Sequence, residues 1–524
     1  MSADVHAITY DDIEGAVQLR GLTYRKPSRA RRFISQCPAC ESREPTLTVN
    51  GKLGGLTLQC DNDCAPLDVI DALKVDGILH APMSPDDLSK PGSQVRIAYI
   101  FAEMFAGKVI HADGLGWYYY SGKHWAEDRG DKRVREYVLR TLRRARSDSI
   151  GDPDLLKAAQ RCETANAIRG VLDIAASLRE IRVEVEDLDA DPYLLNCANG
   201  TFDLRELELR PHSPDDLITK ITEAAYHETA RGTGWEAFLE RVLPNEEVRE
   251  YLQRLAGVAL LGTADEHCLP LLTGQGRNGK GVWYMAMLHM LGDYGYAANP
   301  DLFVEGRTSA DARVSLRGRR MIVVSETDKG AKLAEATVKR LTGGDIINAR
   351  QLYRSEITFM PSHLAFMVTN HPPVVSGSDT AIWERLRVIR FDVVIPPEER
   401  DTGLGDKLKL EADAILAWAI QGLADYQTMR GLNAPDEVQV ATAAYQAKSD
   451  VVGRFLSECT TSVAVHKISM KDLYDRWTSW AASEGVEPVG KHAFNESLRE
   501  RGHRTLPSGG REWWQGISLA VALT

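Results

Sequence analysis

The chain has 524 residues, of which 44% are hydrophobic and 26% charged, and its formal net charge is −11. This length exceeds one hydrophobic core, so we expect several domains. The sequence shows no eighteen-residue apolar run and no apolar or Arg-rich leader, so it predicts a cytoplasmic protein with no membrane partner. The acidic balance argues against a protein that coats nucleic acid over its whole surface.

Three local basic runs could still contact nucleic acid. They are Arg25 to Arg32 with five cations, Lys132 to Arg146 with seven and Arg313 to Arg320 with four. A solvated helix face is the more common explanation of any single run. We therefore interpret these runs only together with the motifs around them.

The N-terminal part contains four closely spaced cysteines. They form two pairs separated by nineteen residues: Cys37 with Cys40, and Cys60 with Cys64. The insert predicts two short strands, 45–51 and 55–59, around a glycine turn that would bring the pairs together. This spacing is typical of a zinc ribbon, so we predict bound Zn²⁺. Buried cysteines without metal, or two disulfides, are the alternatives.

Residues 81–93 contain three prolines among small polar residues, which predicts a linker and a domain boundary near residue 85. From 86 to 232 the pattern is mainly helical, with a small hairpin predicted at 116–120 and 123–125. We interpret this region as an α-rich adaptor. Its acidic run 187–191 could suggest a metal site, but turn and cap residues explain it better.

Between 233 and 440, short apolar runs alternate with helical stretches. Leu269–Thr273, 320–325 and Leu364–Thr369 are predicted to be buried parallel strands. A glycine-rich loop and a helix follow the first strand, an arrangement in which backbone N–H groups and a lysine hold phosphates. We therefore predict a site for ATP and Mg²⁺. Its nucleotide-binding residues would be Gly274, Gly276, Asn278, Gly279, Lys280 and Gly281.

Position 281 is Gly where the standard motif has a hydroxyl for magnesium, so a glycine turn that binds nothing is the alternative. The downstream elements favour a nucleotide site. Glu326 ends the second strand, where it could polarise water or help hold the metal, although such an acid is often only a surface cap. Asn370 ends the third strand and could orient the water. Arg385 and Arg387 follow, where they could reach a neighbouring subunit's nucleotide or pair with a surface acid.

Residues 441–524 predict two helices followed by a hairpin around Gly509-Gly510, the order of a winged helix. Four polar residues there could meet a DNA groove. They are Lys491, Asn495, Arg499 and Arg511. A protein-docking or structural wing is equally compatible, since the aromatic positions are mostly core.

Several stretches together resemble the signature of the phage and plasmid primase-helicase family. That family belongs to the superfamily 3 AAA+ helicases and is related to the poxvirus replication helicase. The stretches are Glu326-Thr327, Lys339 to Asp345, Ala349-Arg350, Tyr353, Thr369 to Pro373 and Asp379 to Arg387. The cysteine module and the C-terminal segment resemble the two ends of such proteins.

The resemblance implies that Lys280 grips phosphate, Glu326 is the Walker B acid and Asn370 is the sensor. Arg385 fits the arginine finger best, with Arg387 second. The resemblance also implies DNA contact beside a segment that enters a central channel. The candidates there are Lys339, Arg340 and Arg350, with Lys339 the first choice.

The implied fold is multidomain α/β. Its parts are a zinc-binding module at 1–85, the α-rich adaptor at 86–232, a superfamily 3 AAA+ parallel-sheet ATPase at 233–440 and a winged-helix-like domain at 441–524. We predict an ATP-dependent replicative DNA helicase of a phage or mobile element, acting in a bacterial host cell.

This helicase would form a ring, most simply a hexamer, and move 3′ to 5′ on single-stranded and forked DNA beside a separate primase or replisome protein. Two alternatives stay open. One is a bifunctional primase-helicase, and the other is an origin initiator with a vestigial ATPase, which Gly281 favours.

Overall fold

The computed structural model describes residues 10–19, 22–25, 32–40, 43–52, 55–73, 93–306, 311–326, 328, 330–350, 356–375, 380–508 and 511–520. Among the helices in these ranges, none has the length and hydropathy needed to cross a bilayer.

The N-terminal module is a four-stranded antiparallel sheet with two helices. Its elements are α1 (Tyr10–Leu19), β1 (Tyr24–Arg25), β2 (Arg32–Gln36), β3 (Pro45–Lys52), β4 (Gly55–Cys60) and α2 (Pro66–Leu73). The strands pair in sequence order. Phe33, Leu47 and Val49 are buried at alternate positions, because successive side chains of a strand point to opposite faces. The two strands predicted between the cysteine pairs are confirmed as β3 and β4.

The adaptor contains more β-structure than the predicted α-rich fold. Its elements are α3 (Gln94–Phe105), β5 (Val109–Ala112), β6 (Gly116–Tyr120), β7 (Trp125–Glu127), α4 (Lys132–Asp148), α5 (Pro153–Arg161), α6 (Ala165–Ala175), β8 (Arg182–Val183), β9 (Leu194–Cys197), β10 (Gly200–Asp203) and β11 (Glu208–Arg210). The β6–β7 hairpin is confirmed, but it belongs to a sheet of order β7-β6-β5-β8, and β11-β10-β9 form a second sheet. Several strands have only two to four residues, too few to show an alternating pattern.

The central region is built on a parallel five-stranded sheet. Its elements are α7 (Thr233–Val242), α8 (Glu246–Val258), β12 (Leu269–Thr273), α9 (Lys280–Leu291), β13 (Gly295–Ala298), α10 (Asp311–Val314), β14 (Met321–Ser325), α11 (Glu335–Thr342), β15 (Ile347–Arg350), β16 (Glu356–Phe359), β17 (Leu364–Thr369), α12 (Thr380–Trp383), β18 (Leu386–Arg390), α13 (Leu404–Leu410), α14 (Ala412–Met429) and α15 (Asp436–Ser449). The strand order is β13-β14-β17-β12-β18, with every pair parallel. The three predicted parallel strands are confirmed as β12, β14 and β17.

Two hydrophobic cores contain side chains of this central sheet. Leu272, Val323 and Phe366 belong to a core that also includes residues of β9, β10, α8 and α14. Leu271, Val324 and Met367 belong to a second core, which includes residues of the β7-β6-β5-β8 sheet. Both adaptor sheets therefore pack against the central region.

The C-terminal segment has the predicted order of helix, helix and hairpin, with an additional strand. Its elements are α16 (Val451–Cys459), β19 (Thr460–Ser469), α17 (Met470–Ser483), α18 (Lys491–Glu500), β20 (Thr505–Ser508) and β21 (Arg511–Leu519). Strand β19, which the sequence reasoning missed, pairs with β21. The predicted turn at 509–510 lies outside the described residues, as does most of the linker at 81–93.

Two arginines of the basic run 313–320 make structural contacts. Arg317 pairs with Asp189 at 3.3 Å and Arg320 is 5% exposed. The Arg320 guanidinium donates to the backbone carbonyls of Pro192, Leu194 and Leu260. These contacts join the start of β14 to the adaptor.

The acidic run of the adaptor also has a structural role, as predicted. Asp189 accepts hydrogen bonds from the backbone N–H and the hydroxyl of Thr219, both at 2.6 Å. Asp191 accepts from the backbone N–H of Tyr193 at 3.0 Å and pairs with Arg205. Both carboxylates are therefore engaged by the protein itself.

Candidate functional site

The glycine-rich loop that is predicted to bind phosphate, here called the phosphate loop, lies between β12 and α9, as the sequence predicts. Gly274 has a φ of 154°, and a Cβ atom there would overlap the carbonyl oxygen of Phe391. Gly279 has a φ of 88° and packs so closely that a Cβ atom would lie 2.6 Å from the Val242 side chain. Both positions need glycine, because no other residue adopts this backbone at this separation without strain.

Lys280 connects this loop to the next strand of the sheet. The side chain is 4% exposed, and its Nζ donates to Gly274 O at 2.8 Å, to Asn278 Oδ1 at 3.0 Å and to Asn370 Oδ1 at 3.2 Å. Burial lowers the pKa of Lys280 to about 8, while the Glu326 carboxylate opposes that shift. Because all three acceptors are neutral, a phosphate placed here would stabilise the charged amine.

Glu326 follows β14 directly and lies, like Lys280 and Asn370, at the carboxyl ends of the parallel strands. Its backbone N–H donates to Val368 O of β17 at 3.1 Å, and its φ is 63°. This left-handed conformation costs a residue with a side chain about 1–2 kcal/mol. The carboxylate is exposed beyond the strand end. The structure therefore brings Lys280, Asn370 and Glu326 together at the carboxyl ends of three adjacent strands.

Asn278 makes hydrogen bonds within the loop, whereas Gly281 has no side chain to contribute. Asn278 is buried, and its Nδ2 donates to Phe391 O at 2.7 Å while its Oδ1 accepts from Lys280. It therefore fixes the loop and the lysine, a role that sequence spacing did not indicate because Phe391 is far along the chain. Gly281 is exposed on α9, and a Cβ atom there would meet nothing within 4 Å. A serine would fit at position 281.

Arg385 and Arg387 lie at the opposite end of the strands, where β12 and β18 begin. Leu269, the first residue of β12, donates its backbone N–H to Arg385 O at 2.7 Å, and Arg387 pairs in register with Pro270. Five strand residues separate this end from the phosphate loop, a distance of about 17 Å. Arg385 Nη1 donates to Ala381 O at 2.7 Å. Neither arginine joins the cluster around Lys280 within one chain.

The predicted DNA contacts surround an antiparallel hairpin, β15–β16, in which Arg350 pairs in register with Glu356. Lys339 and Arg340 are half-buried in the last turn of α11. Three signature positions lie outside the described residues, namely Thr327, Tyr353 and Asp379. On α18, Lys491 and Arg499 are exposed whereas Asn495 is buried.

The four N-terminal cysteines form a compact cluster. Their Sγ atoms all lie within 4.8 Å of one another, and those of Cys40 and Cys60 are 3.9 Å apart. Two thiolates on a tetrahedral zinc ion, with bonds of about 2.3 Å, are separated by about 3.8 Å. Asn62 Nδ2 donates to Cys40 Sγ at 3.4 Å, and this bond, together with bonds from the three neighbouring thiols, lowers the pKa of Cys40 to about 6. The donor set of Cys37, Cys40, Cys60 and Cys64 fits zinc, and Asn62 is a supporting residue that the sequence reasoning missed.

Three family models match the chain in succession. The model described as D5 N terminal like matches residues 98–244, a family of unknown function (DUF5906) matches 272–385, and the model described as Poxvirus D5 protein-like matches 447–503. The second match contains the phosphate loop, Glu326 and Asn370. The chain thus carries both D5-type segments around its nucleotide-site candidate.

Three curated relatives come from large DNA viruses. L207/L206 of Acanthamoeba polyphaga mimivirus, named as a candidate helicase, is 29% identical over 62% of this chain and 36% of its own length. Protein 121R of Invertebrate iridescent virus 3, also named as a candidate helicase, is 23% identical over 77% of this chain and 52% of its own. C962R of African swine fever virus, named as a candidate primase, is 25% identical over 50% of this chain and 29% of its own.

These matches confirm the resemblance to the primase-helicase family related to the poxvirus replication helicase. The chain spans between 29% and 52% of the length of these three relatives. They belong to viruses named for amoeba, invertebrate and swine hosts, so they do not support the predicted phage origin and bacterial host.

Proposed function

We propose that the chain is an ATP-dependent DNA helicase that acts in the replication of a DNA virus or another mobile element. The observation that carries this proposal is the contact between Lys280 Nζ and Asn370 Oδ1, with Glu326 on the next strand. It brings a phosphate-binding lysine, an amide and a carboxylate to one edge of a parallel sheet. The D5-type matches and the relatives named as helicases support the same function.

In this proposal, Lys280 exchanges its neutral acceptors for the β and γ phosphates of ATP. Asn370 then orients the attacking water, and Glu326 polarises it. Bound Mg²⁺ would neutralise phosphate charge. Because Gly281 has no hydroxyl, Glu326 would help hold the ion.

Arg385 would act on the nucleotide of a neighbouring subunit. Arg385 lies at the amino ends of the strands, whereas Lys280 of the same chain lies at their carboxyl ends. A role as arginine finger therefore requires a second copy of the chain, as in a ring. In a hexamer, the β15–β16 hairpin with Lys339, Arg340 and Arg350 would follow one DNA strand in the 3′ to 5′ direction. Lys491 and Arg499 on α18 would offer a further DNA contact.

The test of the motor is ATP hydrolysis with magnesium, with and without single-stranded DNA. Lys280→Ala should reduce DNA-stimulated turnover by about 100-fold or more, since it removes a preorganised cation from the phosphates. Met285→Ala is the matched control, because Met285 is 53% exposed on the same helix and should leave turnover unchanged. No turnover by the unaltered protein in assembled rings would contradict a motor and favour an origin initiator.

The finger role is tested by mixing two inactive variants. Lys280→Ala and Arg385→Ala should each lack turnover, but a mixture should regain part of it. In mixed rings, an intact Lys280 would meet an intact Arg385 from the neighbour. A mixture that stays as inactive as its components, with subunit exchange verified, would show that Arg385 does not complete a site between subunits.

We also propose that the cysteine cluster holds structural Zn²⁺ and stabilises the N-terminal module. Elemental analysis of the purified chain should give one zinc per chain, and Cys60→Ser should lower it and the melting temperature of the module. Cys459→Ser is a suitable control, because Cys459 lies in the C-terminal segment. A metal-free chain whose N-terminal module is fully folded would contradict this role.

A further inference from the structure

Helix α4 has a positive charge that the proposed motor does not use. Its seventeen residues include seven cations and two acids, a formal net charge of +5 in a chain whose net charge is −11. A charge of this size on one helix attracts polyanions locally even when the whole protein is acidic.

The positive side chains lie on the exposed side of α4, and the opposite side of the helix packs into the adaptor. Val134, Val138 and Leu142 are buried in the adaptor core. The buried Asp128 carboxylate accepts from the backbone N–H groups of Arg133 and Val134 at 3.1 and 2.8 Å, which anchors the start of the helix. The exposed cations are Lys132, Arg133, Arg140, Arg143, Arg144 and Arg146.

The existing ion pairs of these side chains do not block the face. Arg140 pairs with Glu136, Arg144 with Asp148 and Arg146 with Glu163, and the six side chains are between 40% and 62% exposed. Such surface pairs contribute only about 0–1 kcal/mol, so a phosphate can replace the carboxylate at little cost. Lys132 and Arg143 form no ion pair with any residue that the structure describes.

The face fits double-stranded DNA better than single strands. Binding of single strands relies on free aromatic rings for base stacking. Here Tyr137 is already stacked on Phe105, with ring centroids 4.5 Å apart, and Arg133 covers Tyr119 at 3.8 Å. A helix from 132 to 146 is about 21 Å long and would run along a duplex segment that carries about twelve phosphates in its two strands.

We propose that the exposed face of α4 binds the phosphodiester backbone of double-stranded DNA without reading its sequence. This second DNA site lies in the adaptor, apart from the nucleotide site, and would hold the unopened duplex beside the motor. It goes beyond the proposed helicase activity, because it predicts duplex binding in the absence of ATP.

The test uses the full chain and a fluorescent duplex of about 20 base pairs, titrated between about 50 and 200 mM salt. Arg143→Gln/Arg144→Gln removes one unpaired cation and one that is paired with an acid. Lys409→Gln/Lys448→Gln does the same elsewhere, since Lys409 pairs with Asp406 and Lys448 is exposed. The α4 variant should bind about tenfold more weakly, with a salt slope shallower by about 1.8, whereas the control should match the unaltered chain.

Three results would overturn the proposal. They are equal losses in both double variants, unchanged duplex binding by the α4 variant, and a loss confined to single-stranded DNA. If the α4 variant instead loses ring assembly while its subunits still bind the duplex, the face is a subunit interface. Lys280→Ala should keep full duplex binding, so failure of the motor and failure of this site give different results.

Discussion

Two basic runs that look alike in the sequence have opposite roles in the structure. In the run 313–320, Arg320 is buried between the central sheet and the adaptor. Arg317 and Arg320 donate to backbone carbonyls, and Arg317 pairs with Asp189. The run 132–146 lies on α4, where six of its seven cations are exposed and where its ion pairs are with surface acids. Burial, not charge, distinguishes the two.

The difference follows from the surroundings of each run. Val134, Val138 and Leu142 recur at helical spacing in α4, so one face is buried and the charged face stays in water. Arg320 immediately precedes β14, whose first four residues are all buried, so its side chain starts in the interior and must find partners there. Those partners, Leu194 and Leu260, come from distant parts of the chain.

The largest effect should come from removing the buried cation. Arg320→Ala would remove the guanidinium donor from three backbone carbonyls, of which Pro192 O keeps a hydrogen bond from the Gly262 N–H, and would open a cavity, at a cost of about 3–5 kcal/mol. We expect the apparent melting temperature to fall by more than about 5 °C in a thermal scan. The measurement distinguishes an arginine that stabilises the fold from one that does not.

Arg313→Ala is the control for this substitution. Arg313 belongs to the same run, is only half-buried and has no ion pair within the described ranges. Its variant should melt within about 1 °C of the unaltered chain. Equal effects at positions 313 and 320 would contradict the distinction between buried and exposed cations.

Much of the nucleotide-site candidate was predictable, because apolar runs fix the strands and parallel strands place their carboxyl ends together. Leu269–Thr273 and Leu364–Thr369 were recognised in this way, and the contact between Lys280 and Asn370 follows from their adjacency in the sheet. The bond of Asn278 to Phe391 was not predictable, because it depends on the conformation of the loop. The short strands β8 to β11 were missed for lack of a pattern long enough to detect.

Of the two runs, α4 should show the smaller effect on stability. Arg143→Gln/Arg144→Gln removes one exposed ion pair, worth about 0–1 kcal/mol, and glutamine has nearly the same helix propensity as arginine. The melting temperature should therefore change by no more than about 2 °C, while duplex binding weakens. A thermal scan and a binding titration on the same preparation measure both. A loss of stability as large as that expected for Arg320→Ala would show that the α4 arginines are structural, and the comparison between the two runs would then fail.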